Sequence, residues 1–342
     1  IELFYLPKCP IDYVTAGAYT GEYDLSVMFT GSHNPWDWTG LLMHLHKGES
    51  VQGELVQKII HTYYEVLREE FSEEPFNLTH ATDVTEDTER LYAEKISSLL
   101  PLQEIKSLAV LVDLGDGSGG KALTVLSKLL PQVTFTRLNT RDVYDESSAH
   151  IADPSDIKNM QDVISKITTE HFDAGFAYDS DADRMLAVDE KGNYLNGSYL
   201  GSALAETLKQ VGNAERSVGY AVDCGLSLPN AITILQEEDA SWMVHPLPVG
   251  RSILREMIRE GSVELAVENV GHFYLKDFFM TDSAVFSTAL ILLWISKNGP
   301  LSTLISKYPD GKREQQFVQV PDNQAEVTAK LEEAFTSTYG EG

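Results

Sequence analysis

A buried-type strand that runs into a glycine-rich turn and then a helix occurs twice in this chain. The first copy is Leu108-Ala-Val-Leu-Val-Asp113, followed by Gly115-Asp-Gly-Ser-Gly-Gly120 and helical periodicity over residues 122–130. The second is Ser217-Val-Gly-Tyr-Ala-Val222, followed by Asp223-Cys-Gly-Leu-Ser227 and a helix through Leu235. A strand of continuous apolar residues needs cover on both faces, and a helix following directly supplies it, so the pattern points to α/β layers. Its recurrence at a spacing of roughly one hundred residues predicts repeated mixed-sheet α/β domains. A length of 342 residues gives room for two or three such cores. The first glycine turn lacks the full GxGxxG spacing of a dinucleotide site, which leaves an anion-binding or a purely tight turn.

Other segments fit the same class. Leu25-Ser-Val-Met-Phe-Thr30 reads as a short strand entering a polar loop over 31–40. Residues 51–69 carry Leu55, Ile59, Tyr63 and Val66 at helical spacing, and the acidic stretch 69–87 reads as a surface connection. Ile1 to Leu6 reads as a strand already in progress. A strand and amphipathic helix over 316–335 precede a trailing end, so the chain reads as an internal piece of a longer one.

Charge narrows the partners. Asp plus Glu number 52 against 26 Lys plus Arg, a formal net charge of −26. Such a chain repels nucleic-acid phosphates and anionic lipid, and an anionic substrate needs local cations, helix N-termini or a metal. Cys9 and Cys224 have no CxxC or His spacing near them, so they read as small buried hydrophobes rather than a disulfide or zinc framework. The most apolar stretch, 284–295, is broken by Ser287 and Thr288 and is shorter than the about 20 residues a membrane span needs. With no signal segment at its start, the chain is expected in the reducing cytoplasm.

Three loops carry chemistry. In Thr30-Gly-Ser-His-Asn-Pro35, Ser32 sits just past a strand end, with His33 a titratable neighbour and Pro35 fixing the turn. In Asp179-Ser-Asp-Ala-Asp-Arg184, between two strand-like runs, three carboxylates at alternating positions point one way on an extended loop, and a modest curve converges them on one cation. Oxygen-only ligands select a hard ion, and so few of them suit Mg²⁺ with substrate or phosphoryl oxygens completing the shell. An EF-hand needs Gly at the sixth loop position, where this chain has Arg184, a side chain suited to a bidentate grip on phosphate. In Val267-Glu-Asn-Val-Gly-His272, a carboxylate and an imidazole on a glycine-containing loop suit sugar hydroxyls, and equally suit a structural turn.

Taken in order, these three loops resemble the α-D-phosphohexomutase family. The continuation Phe273-Tyr-Leu-Lys-Asp-Phe-Phe279 with Asp282-Ser283 looks most like the phosphomannomutase/phosphoglucomutase branch. The resemblance implies four domains around a central cleft, three of them α/β repeats. Residues 1–100 would be a partial domain 1 with the phosphoserine loop, and 101–192 domain 2 with the metal loop. Residues 193–311 would be domain 3 with the sugar loop, and 312–342 the start of a truncated domain 4. It further implies Mg²⁺-dependent interconversion of hexose 1- and 6-phosphates of mannose or glucose, through a phosphoserine at Ser32 and a hexose 1,6-bisphosphate. Asp179, Asp181 and Asp183 would hold Mg²⁺ against the Ser32 phosphoryl oxygens, with Ser32, His33 and Arg184 catalytic. His33 is the nearest candidate base for the attacking hydroxyl. Glu268, Asn269, Gly271, His272 and Arg251 would bind substrate. Partners would be sugar phosphates, and the protein a monomer or homodimer.

The chain departs from that pattern at several positions. Leu42 stands where the family carries a lysine, with His44, His46 and Lys47 nearby. Val270 replaces a serine, Asp223 falls where a lysine is common, and Arg251 takes the place of a histidine. The phosphate-clamping loop would lie beyond Gly342. These departures keep open a phosphoglucosamine mutase and a diverged relative that binds sugar phosphate without turnover. A haloacid-dehalogenase-type phosphatase fits less well, because the Asp179 loop runs straight into another strand. In so acidic a chain the cleft should be locally positive, with Arg184, Arg251, Arg255 and Lys276 lining it.

Overall fold

The computed structural model describes residues 2–20, 23–67, 80–212, 217–221, 227–238, 240, 242–309, 327 and 329–331. Ile1–Asp310 form one unit and Gly311–Gly342 another. In the second unit the described residues, Val327 and 329–331, are helical, and the expected strand and start of a fourth domain lie outside the described residues. Asp223 and Cys224 lie outside them as well.

The first hundred residues contain β1 (Phe4–Tyr5), α1 (Ile11–Thr20), β2 (Leu25–Thr30), β3 (Gly40–Leu45), α2 (Glu54–Val66), β4 (Thr82–Asp83) and α3 (Thr85–Leu99). The strand expected over the first six residues shortens to β1, which pairs in parallel with β4. Of the expected acidic connection, 69–79 lie outside the described residues and the rest leads into β4 and α3. The expected helix α2 forms, but its apolar side stays in solvent, with Leu55, Ile59 and Tyr63 exposed and no α2 residue buried.

Next come β5 (Leu108–Asp113), α4 (Gly120–Leu129), β6 (Val133–Leu138), α5 (Gln161–Thr169), β7 (Ala174–Tyr178), β8 (Met185–Asp189) and β9 (Tyr194–Leu195). The remainder of the unit holds α6 (Gly197–Val211), β10 (Ser217–Ala221), α7 (Ser227–Glu238), β11 (Met243–Leu247), α8 (Arg251–Arg259), β12 (Leu265–Val267), β13 (Phe273–Leu275), β14 (Thr281–Asp282), α9 (Ala284–Asn298) and α10 (Thr303–Lys307).

The two five-stranded sheets repeat one topology. One runs β6-β5-β7-β8-β9 and the other β11-β10-β12-β13-β14. In each, the first three strands are parallel and the last two antiparallel. The repeated α/β reading of the sequence is therefore the architecture of the chain. Side-chain alternation divides each sheet between two cores. In the first, Leu111, Ala177 and Val188 pack with Val163 and Ile167 of α5, while Val110, Val112 and Phe176 face the main core. In the second, Ala266 and Tyr274 pack with Leu254 and Ile258 of α8, while Leu265, Val267 and Phe273 face the main core.

The apolar stretch that was too short for a membrane is α9, at the centre of that main core. Its Leu290, Ile291, Leu292, Leu293 and Trp294 are each at most 1 % exposed. Each fully buried aliphatic or aromatic side chain of this kind stabilises the fold by about 1.5–3 kcal/mol. Among the described residues no helix is long and apolar enough to cross a membrane. Asn196-Gly197 reads from the sequence as a turn, yet Asn196 caps α6, its side chain accepting from the N–H groups of Ser198 and Tyr199. The same short polar side chain serves both uses, so composition does not separate them.

One polar contact in the first sheet is a pH-dependent fastener. Asp113, fully buried at the end of β5, accepts from His150 Nε2 at 2.9 Å, while His150 Nδ1 lies 2.8 Å from the Ile151 carbonyl. Both ring nitrogens face acceptors, which favours the imidazolium. The hydrogen bond to Asp113 raises the His150 pKa to about 9, against the opposing effect of burial. A folded-state value above the unfolded one gives stability that is complete below about pH 6.5 and lost as pH rises through 9. His150→Ala is therefore expected to cost about 1 kcal/mol at pH 6, screening by solvent holding the figure down, and to cost much less at pH 9.5. Urea unfolding at the two pH values checks this, and an equal cost at both overturns it.

Candidate active site

All three loops singled out in the sequence are tips of antiparallel hairpins. The Ser32 loop joins β2 to β3, the Asp179 loop joins β7 to β8, and the Glu268 loop joins β12 to β13. The last two occupy equivalent positions in the two repeated sheets, and they meet. Arg184 and His272 form an antiparallel bridge, and the Met185 N–H donates to the Gly271 carbonyl at 3.0 Å. That approach needs glycine at 271, where φ is +100° and a Cβ would fall 2.8 Å from the Met185 oxygen.

The acidic loop is not extended, so the alternation argument gives the right convergence for the wrong reason. Tyr178 pairs with Met185, leaving a tight six-residue tip closed by the Ala182 N–H donating to the Asp179 carbonyl at 3.1 Å. Ala182 takes a positive φ of 58° to complete the reversal. Backbone donors fix the tip from several sides. Ile11 at the start of α1 donates to the Asp181 carbonyl, Ala284 at the start of α9 to the Ala182 carbonyl, and Ser118 to the Ser180 carbonyl. A Cβ at Gly117 would fall 2.5 Å from the same Ser180 oxygen. The first glycine-rich turn is thus a close-packed support beneath the acidic loop.

One oxygen from each of Asp179, Asp181 and Asp183 lies within 4.8 Å of the others, and all three side chains are at most 1 % exposed. Each carboxylate has one oxygen held by the protein. Asp179 Oδ1 accepts from the N–H groups of Asp183 and Arg184, Asp181 Oδ2 from Thr30 Oγ1 at 2.8 Å, and Asp183 Oδ2 from Arg251 Nη1 at 2.5 Å. The other three oxygens, Asp179 Oδ2, Asp181 Oδ1 and Asp183 Oδ1, are buried without a hydrogen-bond partner. Orphaned carboxylate oxygens are costly in a protein interior. A set of three hard donors facing one another fits a divalent cation of the magnesium class. Burial and the neighbouring Asp183 push the Asp181 carboxyl up to about 7, and burial with Asp183 and Asp181 raises Asp179. Burial acts the same way on Asp183, but the His272 ring and the Arg251 guanidinium outweigh it and hold this carboxyl low. Asp183 also groups with His272 and Asp282. There the remaining atoms are committed to protein partners, so the grouping offers no second free ligand set.

Ser32 is brought to this loop. Thr30 Oγ1 accepts from the Ser32 N–H at 2.8 Å while donating to Asp181, and Ser180 Oγ donates to the Ser32 carbonyl. Ser32 has a positive φ of 51°, a conformation uncommon for a residue with a side chain and a mark of a functional loop. His33 Nδ1 lies 3.1 Å from Ser32 Oγ. Burial, and then the Arg184 guanidinium, lower the His33 pKa, so the imidazole is neutral with a lone pair available.

Arg184 Nε donates to His272 Nε2 at 2.9 Å, and its guanidinium lies 3.7 Å from both Asp153 and Asp179. His272 Nδ1 faces Asp282 Oδ2 at 2.8 Å. Arg251, at the first position of α8, places its second nitrogen 3.3 Å from Asp282 Oδ1. Glu268 is buried and accepts from Tyr274 at 3.2 Å, and Asn269 Oδ1 is buried with no partner. Gly197 lets the Glu268 loop close onto α6. Its N–H donates to the Asn269 carbonyl at 3.0 Å, and a Cβ there would fall 2.2 Å from the Glu268 oxygen. Gly197→Ala is therefore expected to push the Glu268 loop off α6 and to destabilise the chain by about 1–3 kcal/mol. Urea unfolding checks it, and unchanged stability overturns it.

Two of the four cations expected at the cleft are elsewhere. Arg255 is 4 % exposed and turned toward β3, donating to His44 Nε2 and the Gly48 carbonyl, and the Lys276 ammonium lies by the Gly261 turn. Leu42 pairs across the hairpin with Met28 and packs against the main core. Sequence reasoning assigned no role to Thr30 or Asp282. Thr30 shows its importance only through contacts, whereas Asp282 stood in the quoted Asp-Ser run and could have been suspected.

The phosphoglucomutase/phosphomannomutase α/β/α domain II model matches residues 90–192, and the domain III model matches 196–310. A phosphomannomutase of Methanocaldococcus jannaschii is 28 % identical over 301 residues, covering 84 % of this chain and 62 % of that protein. A phosphoglucosamine mutase of Caldicellulosiruptor bescii is 24 % identical, covering 84 % of this chain and 63 % of that protein. The crystal structure of a phosphoglucomutase/phosphomannomutase family protein from Burkholderia thailandensis superposes with a TM-score of 0.71 at 26 % identity, covering 89 % of this chain and 64 % of that one. The chain thus spans about three-fifths of the length of the curated relatives it matches.

Proposed function

The chain belongs to the α-D-phosphohexomutase family, and from that premise we propose that it is the Ser32-bearing part of a Mg²⁺-dependent phosphohexomutase acting on mannose or glucose phosphates. In this reading residues 1–100, 101–192 and 193–311 are successive domains that contribute the phosphoserine, metal and sugar loops. The observation that carries the reading is the set of three orphaned carboxylate oxygens, tied through Thr30 to the backbone of Ser32.

Chemically, Ser32 carries the phosphoryl group. A hydroxyl of the hexose monophosphate attacks phosphorus, its new P–O bond forms, and the bond from phosphorus to Ser32 Oγ breaks. The proton of the attacking hydroxyl ends on Ser32 Oγ, with His33, 3.1 Å away, as the relay. The resulting hexose 1,6-bisphosphate turns over and returns its other phosphoryl group to Ser32. Asp179, Asp181 and Asp183, with a Ser32 phosphoryl oxygen, would hold Mg²⁺, which would supply charge neutralisation during in-line transfer. Arg184 and Arg251 border that charge, and the guanidinium hydrogens not committed to His272, Asp183 and Asp282 remain for substrate phosphate. Glu268 and Asn269 read the sugar hydroxyls, His272, with both ring nitrogens engaged by Arg184 and Asp282, orients their loop, and Gly271 lets that loop close on β8. The compartment proposed is the cytoplasm, and the partners sugar phosphates.

Peptide mass spectrometry after incubation with glucose 1,6-bisphosphate and Mg²⁺ tests the reading. Phosphate on Ser32, lost on adding excess hexose monophosphate, is the expected result, and an unmodified Ser32 overturns it. Two other readings have an observation each. The Caldicellulosiruptor relative favours a glucosamine phosphate as substrate, and faster discharge of phosphoserine by glucosamine 6-phosphate than by mannose 6-phosphate would select it. The apolar packing of Leu42 favours a relative that binds without turnover.

A further inference from the structure

The three carboxylates of the acidic loop are each restricted to one free oxygen, and three different donors impose the restriction. For Asp179 the donors are backbone N–H groups of the loop itself, and for Asp181 the donor is the Thr30 hydroxyl of the serine hairpin. For Asp183 the donor is Arg251, a long side chain from the start of α8 in the other repeat. Only this last one carries charge, and it forks, with Nη1 on Asp183 Oδ2 at 2.5 Å and Nη2 on Asp282 Oδ1 at 3.3 Å. Asp282 is in turn fixed by His272 and Thr281. The guanidinium is thereby held in place, and it occupies Asp183 Oδ2.

We propose that Arg251 is a specificity-determining residue of this cation site, which confines Asp183 to a single ligand oxygen and so selects a small octahedral ion over calcium. The inference rests on the reading of the acidic loop as a divalent-cation site. Mg²⁺ takes few protein oxygens, keeps water, and completes six positions at short distance, whereas Ca²⁺ takes six to eight oxygens and readily uses both oxygens of one carboxylate. Three single-oxygen carboxylates serve the first ion and starve the second. Freeing Asp183 Oδ2 adds an oxygen, and loss of the guanidinium removes a positive charge beside the ion. The added charge helps both ions, whereas the added oxygen helps mainly the larger one.

Calorimetric titration of the wild-type chain, Arg251→Ala and Arg251→Lys with MgCl₂ and with CaCl₂ tests this. Arg251→Ala is expected to bind calcium about tenfold or more tighter and magnesium only a few-fold tighter, moving the ratio of the two affinities toward calcium. Arg251→Lys, which restores a charged donor, is expected to return the ratio toward the wild-type value. An unchanged ratio in Arg251→Ala overturns the inference and leaves the cation site standing. Proportional weakening of both ions also overturns it, since that is the signature of a merely structural arginine. If the wild-type chain binds neither ion, the cation reading fails and the inference with it.

Discussion

Ser32→Ala is expected to remove phosphoryl incorporation from glucose 1,6-bisphosphate altogether and to lower any mutase turnover by at least about three orders of magnitude, the scale of losing a covalent nucleophile. The substitution deletes only Oγ. The Ser32 N–H still donates to Thr30 Oγ1 and the carbonyl still accepts from Ser180 Oγ, so the loop retains its tether to the acidic tip. Both Ser and Ala take a φ of 51° at similar cost, and the melting temperature should stay within about 2 °C. The pairing of an unchanged melt with lost incorporation is what identifies a nucleophile. A variant that incorporates phosphate as before would move the nucleophile elsewhere, and one that unfolds would show Ser32 to be a structural residue of the hairpin. His33→Ala separates the steps further. It leaves Oγ in place, so incorporation should persist but slow by about two to four orders of magnitude, the usual contribution of a positioned acid–base group.

Much of the fold was legible in the sequence, and for definite reasons. The strands at Leu108–Asp113 and Leu25–Thr30 appear with the bounds read from the residues, because runs of apolar and β-branched residues stopped by glycine or polar loops have few other uses. The convergence of Asp179, Asp181 and Asp183 was legible from their density. The mechanism of convergence was not, since the positive φ of Ala182 and the pairing of Tyr178 with Met185 depend on the partner strand. What was least legible is direction. Arg255 and Lys276 look like cleft cations in a chain of net charge −26, but Arg255 is committed to His44 and Gly48 in β3 and its following turn. The helical spacing of Leu55, Ile59 and Tyr63 predicted α2 correctly yet predicted nothing about cover, because periodicity reports a face and not its neighbour. That the Asp179 and Glu268 loops are equivalent hairpins of two repeats, joined at Arg184 and His272, follows from topology alone and has no signature in either motif.

Asp181→Asn is expected to change stability and metal affinity in opposite directions. Asp181 Oδ1 is buried without a hydrogen-bond partner, and an oxygen of this carboxylate lies within 4.8 Å of oxygens from the other two. Asparagine keeps a carbonyl oxygen for Thr30 Oγ1 and turns an NH₂ toward Asp179 Oδ2 and Asp183 Oδ1, converting a repulsive orphan into a donor. Satisfying buried polar atoms and removing one like charge should raise the unfolding free energy by about 1–2 kcal/mol, a rise of a few degrees in melting temperature. Magnesium affinity should fall by about two orders of magnitude, because one of only three protein oxygens and a full negative charge are lost. Added Mg²⁺ should then raise the melting temperature of the wild-type chain but barely that of the variant. A loop that was only a tight turn between β7 and β8 would respond differently, since its closure runs through the Asp179 carbonyl and carboxylate, neither of which the substitution touches. In that case magnesium would shift neither melt. The stability gained by Asp181→Asn would then measure the repulsion among the Asp179, Asp181 and Asp183 carboxylates.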